Sequence, residues 1–193
     1  MKKTVAAILA LVLALAGVSA FAEDLPAFRQ DMKTPDDIGA FIANSLADPQ
    51  RAKENFLFGD GCVAIPVPVI FRLSGADPLE VCGNFIVDVY RLNGDTLEYV
   101  SGGENAGVIT LEKGENGWKV VREEYAGDGE AFAADIARFA GGDAVLLRQY
   151  QEVRGNHEMI SAARFSAVCD YIRQTHLDIR YYQLPGCAPV AVY

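Results

Sequence analysis

Few residues in this sequence are of a type and spacing that could do chemistry: two histidines, four cysteines and one alternating set of acids, amides and tyrosines. In the stretch 81–92, Asn84, Asp88 and Tyr90 fall on one side of a period-two pattern with Ile86 among them, and Glu123 and Tyr125 share a side of the stretch 117–126. If both sets face one pocket, a carboxylate and two phenols converge there. That is enough to bind a polar ligand or to move a proton, with Asp88, Tyr90 and Tyr125 as the acid–base candidates. The plainer reading is one solvated face of an antiparallel sheet, which produces the same alternation.

His157 and His176 could share a metal or a proton only if they meet. On one continuous helix their 19-residue separation at 1.5 Å rise is about 28 Å. His157-Glu158 lacks the second histidine of a zinc-hydrolase motif and no Cys-x-x-Cys pair exists, so neither a metal nor a cofactor is expected. No serine sits in a Gly-x-Ser-x-Gly elbow; Ser74-Gly75 and Ser101-Gly102-Gly103 read as turns. Asp60, Asp95 and Asp128 each adjoin a glycine without the alternating acids of a calcium loop, which makes them turn aspartates.

The segment 1–22 reads as a secretory signal peptide. Lys2 and Lys3 form a basic start, Val5 to Val18 an apolar run, and Ala20-Phe21-Ala22 a small-x-small cleavage site. The expectation is a secreted or otherwise extracytoplasmic product, residues 23–193, forming a single domain with no membrane attachment after cleavage. Cleavage removes two lysines and no acid, moving the formal charge from −9 to −11. That field repels nucleic acid and anionic membrane surfaces, so neither is an expected partner. In an oxidising compartment Cys62, Cys82, Cys169 and Cys187 read as two disulfides, with three connectivities open. Cys62 with Cys82 and Cys169 with Cys187 close the shorter loops, each worth roughly 3 kcal/mol by restricting the unfolded chain.

The elements that would hold these residues follow from the apolar periods. Thr34-Pro35-Asp36-Asp37 and Asp48-Pro49 are helix starts, and the apolar stripe through Ile38, Ile42, Leu46, Ala52 and Phe56 predicts a helical hairpin over 35–58. From Cys62 the period changes to two. Strands are predicted from Cys62 and over 81–92, 95–101, 106–113 and 117–126, an antiparallel meander of about five strands joined by glycine-rich turns, including Gly102-Gly103-Glu104-Asn105. Pro66 and Pro68 cannot donate to a ladder, which places the first strand at a sheet edge or makes it partly irregular. Helical spacing returns after Asp128-Gly129, stops at Gly141-Gly142, resumes behind Asp143 and continues from Asn156 to about Gln174, with a last strand near 178–184. Helices, then a meander, then helices make the fold class α+β.

The meander carries a resemblance. Leu92-Asn93-Gly94-Asp95-Thr96-Leu97-Glu98, Ser101-Gly102-Gly103, Val108-Ile109-Thr110-Leu111-Glu112 and Asp128-Gly129-Glu130, with Asp135-Ile136 and Phe139 beyond, occur in a familiar order. That order resembles a family of uncharacterised secreted or membrane-tethered proteins of Gram-positive bacteria, and the layout is similar to NTF2-like and cystatin-like folds. The resemblance implies helices wrapped on a curved meander and supplies no catalytic residue. The expected function is a non-catalytic extracellular domain that binds a peptide, glycan or protein, through the concave sheet face or the edge near Pro66 and Pro68. The alternatives are a small NTF2-like hydrolase or isomerase using Asp88 with Tyr90 or Tyr125, and a cystatin-like inhibitor presenting Gly102-Gly103 at a hairpin tip.

Overall fold

Asp37 and Asp48 begin the two N-terminal helices by accepting first-turn backbone N–H groups, from Ala40 at 3.1 Å and from Arg51 at 3.0 Å. The computed structural model describes residues 25–192, so the expected signal peptide at 1–22 lies outside the described residues. Helix α1 runs Ile38–Leu46 and α2, with Pro49 at its first position, Pro49–Asn55. This is the expected hairpin, entered at Asp37 rather than at Thr34.

Four long strands follow: β1 Cys62–Gly75, β2 Leu79–Asn93, β3 Thr96–Gly114 and β4 Gly117–Tyr125. They form an antiparallel meander of four strands instead of five, because residues 102–105 are not a turn. β2 is long enough to pair with β3 throughout, and its Val87 and Asp88 sit opposite Gly103 and Gly102. The cystatin-like tip at Gly102-Gly103 is thereby excluded: these glycines lie in mid-strand.

Helices α3 Glu130–Ala140, α4 Ala144–Gly155 and α5 His157–Thr175 complete the α+β architecture, with short strands β5 Tyr181–Gln183 and β6 Val190–Ala191. Gly141, at φ 59° in the left-handed region, ends α3; Asp143 and Asn156 cap the next two helices. His157 and His176 stand at opposite ends of α5. Among the described residues no helix is long and apolar enough to cross a membrane.

The sheet has the order β1-β2-β3-β5-β6, with β4 also paired to β3. β3 therefore forks, holding β4 along residues 107–114 and, in parallel, β5 along residues 96–98. Strand alternation sorts the buried side chains into two layers. One face carries Phe85, Val87, Val89, Ile109 and Leu111 against Ile38, Ile42 and Leu46 of α1. The other carries Ile86 and Val67 against Ile160 of α5, and Cys82 and Ala106 against α3 and α4.

All four cysteines are free thiols. Register forbids the expected Cys62–Cys82 bond: Cys62 pairs with Arg91 at one end of the β1–β2 hairpin and Cys82 with Arg72 near the other. Ten strand residues separate the two levels, roughly 30 Å, against the 7 Å limit between the α-carbons of a disulfide. Oxidative refolding followed by peptide mass mapping should give no Cys62–Cys82 cross-link. Alkylation of the folded protein should reach exposed Cys187 first and buried Cys82 last, and a 62–82-linked peptide would refute the register.

Candidate functional site

The expected site residues divide between the two faces of the sheet. Asn84, Asp88 and Tyr90 of β2 face the C-terminal helices; Glu123 and Tyr125 of β4 lie on the opposite face, beside α2 and Phe85. Even-numbered β2 residues and odd-numbered β4 residues cannot meet, because β3 pairs Asn84 with Ala106 but Tyr125 with its neighbour Gly107. The single acid–phenol pocket of the enzyme reading does not form.

On the α2 side, Arg51, Glu123 and Tyr125 close a triangle. Arg51 donates to the Tyr125 hydroxyl at 2.7 Å and to Glu123, and the Tyr125 hydroxyl donates to Glu123 Oε2 at 3.1 Å. Burial, opposed by Arg51, pushes Tyr125 up to about 12. A phenol that keeps its proton near pH 7 and donates it to Glu123 does not serve as a base.

On the other face Asp88 is 1 % exposed. Arg164 of α5 reaches it with Nε at 2.7 Å from Oδ2, and the same guanidinium donates through Nη2 to Glu104 Oε1 at 3.1 Å. The Tyr90 hydroxyl, fully buried, donates to Asp88 Oδ2 at 3.4 Å. Gly102 makes the space: a β-carbon there would stand 2.7 Å from Asp88 Oδ1, 2.9 Å from the Tyr99 hydroxyl and 2.6 Å from the Val87 carbonyl oxygen. Burial raises the Asp88 carboxyl above its ordinary value although Arg164 opposes the shift. Burial likewise works against the Arg164 charge, and Asp88 and Glu104 more than offset it. Asp88 is thus a sealed anchor that positions Arg164, and through it Glu104.

Beside this anchor lies a cleft of about 240 Å³ between the sheet and α3–α4, lined by Asn84, Glu104, Asp128, Phe132, Tyr150 and Arg154 among others. Asn84 is 3 % exposed and lines the cleft; among the described residues the buried side-chain polar atoms that lack a hydrogen-bond partner are Arg72 Nε and Trp118 Nε1. Tyr150, also on the wall, is fixed by donating to the Gly107 carbonyl at 2.7 Å. Arg154 lies over the Phe132 ring, 4.2 Å from its centroid. Among the described residues no group of three His, Cys, Asp or Glu is placed to hold a metal.

Arg164, Glu104 and Arg154 were not among the expected site residues, and Asp128 was expected only in a turn. One signal for Arg164 was present: it falls on the helical stripe of Ile160, Val168 and Tyr171, where a charge requires a buried partner. No protein-family model matches the chain, and no curated protein or solved structure is similar enough to it to register as a match.

Gly102→Ala should destabilise the protein by about 1–3 kcal/mol, since one of the three clashes is with backbone; chemical denaturation measures it. The raised Asp88 pKa means that the folded state holds this proton more tightly than the unfolded chain. Stability from this group is therefore full at low pH and lost as pH rises above the ordinary value of 3.8 through the folded value. Thermal midpoints against pH should show wild type losing ground to Asp88→Asn across that window. A difference that grows in favour of wild type as pH rises would show the Arg164 attraction, not burial, to dominate.

Proposed function

We propose that this chain is a non-catalytic extracellular binding domain whose ligand seat is the cleft bordered by Asn84, Glu104, Asp128 and Arg154. The observation that carries the reading is the Asn84 carboxamide. On the cleft wall it offers N–H donors and a carbonyl acceptor, and a ligand that matches both takes the place of water there. At about 240 Å³ the cleft suits a small polar compound. The non-catalytic reading is supported by Asp88 and Tyr90: the acid and phenol of the enzyme alternative are bound to each other and shut from water.

The wider groove beside Pro66 and Pro68, about 530 Å³, supports the reading less well, because none of its polar side chains is buried as Asn84 is. The extracellular setting rests on the signal-like segment 1–22. In an oxidising compartment Cys169 with Cys187 is the local pairing left open by the register, both being free thiols here.

Screening by NMR with mixtures of small polar compounds tests the proposal. At least one should shift the Asn84 side-chain amide together with Ala106 and Arg154, and Asn84→Leu should abolish that response while moving the melting midpoint by only a few degrees. Shifts confined to other surfaces would overturn the site. Conversion of the bound compound into a new one would overturn the non-catalytic reading.

A further inference from the structure

The cleft carries both signs of charge, and they do not neutralise each other. Arg154 is held by stacking on Phe132 and forms no ion pair with any described residue. Asp128, on the same rim, is likewise free of ion pairs among the described residues. Glu104 gives Arg164 only Oε1, so Oε2 remains available. Below them Asn84 offers one donor group and one acceptor.

A ligand of one sign satisfies only part of this arrangement. An anion placed on Arg154 faces two carboxylates across a small cleft, and a cation placed on the carboxylates faces Arg154. Like charges brought together at such range cost free energy that salt screens only partly. A ligand with an ammonium and a carboxylate meets every group at once.

Granted the binding reading above, we infer that the ligand is a small zwitterion, of the type of a free α-amino acid with a modest apolar side chain. Its carboxylate pairs with the Arg154 fork and its ammonium with Asp128 and Glu104 Oε2. The Asn84 carboxamide completes the polar set, and Ala106, Ala126 and Val153 receive the side chain. Arg164 does not touch the ligand; it holds Glu104 in place, with Asp88 behind it.

Isothermal titration with L-valine, isobutylamine and isovalerate tests the charge requirement, and glycyl-L-valine separates a free amino acid from a short peptide carrying the same two groups. L-valine or the dipeptide should bind at least ten-fold more tightly than either singly charged compound, and whichever of the two binds better identifies the source. Arg154→Gln should remove the preference over isobutylamine, and Asp128→Asn the preference over isovalerate. Equal binding of amine, acid and zwitterion, or preferences that survive both substitutions, would overturn the inference. If no probe binds while the NMR screen still finds a ligand that Asn84→Leu abolishes, the zwitterion fails and the cleft stands. If nothing binds in either experiment, both readings fail together.

Discussion

Asp88 is a carboxylate with almost no access to water, and its neutralisation organises this half of the molecule. A charge in that position is tolerated only when paired and hydrogen-bonded, and removing one partner of such a pair typically costs on the order of 3–5 kcal/mol. The partner comes from α5, 76 residues later in the chain, so the ion pair fixes both the rotation and the height of the helix against the sheet. Ile160 and Val168, one turn to either side of Arg164, then bury their apolar surface in register. Arg suits the position better than Lys would, because one planar fork serves Asp88 and Glu104 together.

The same constraint shapes β3. With Asp88 projecting from β2, the opposite position on β3 must be empty of side chain, and Gly102 leaves it empty. Two residues on, Glu104 emerges at the cleft, and two more bring Ala106 to its wall. β3 also carries the fork, with the Tyr125 end of β4 on its later half and β5 on its earlier half. One strand therefore couples the buried anchor, the cleft and the C-terminal strands, while the Arg51–Glu123–Tyr125 triangle remains on the far face, separated by the sheet.

Much of the architecture was legible because local signals agreed with it. Asp48, Asp143 and Asn156 stand at the expected helix starts and act as caps, whereas the first helix, expected to start at Thr34, is capped by Asp37. Pro66 and Pro68 placed β1 at an edge by the ladder donors they lack. The errors share one cause: a property of two elements was read from one. Gly102-Gly103 looks like a turn until the strand opposite is seen to need the space. Cys62 and Cys82 are close in sequence but stand at different levels of one hairpin, because an antiparallel turn carries the chain back past its own start. The alternation of Asp88 and Tyr125 was correct in each strand, yet which face each strand presents depends on pairing register, and a shift of one residue reverses it.

The prolines of β1 have a consequence beyond marking its position. An open strand is a template on which a second chain can add its own backbone, the first step toward linear self-assembly. Pro66 and Pro68 remove donors in the middle of β1, so an incoming strand would meet carbonyl oxygens with few N–H groups to answer its own. The molecule can thus end its sheet on a long strand without making that strand the seed of a fibre.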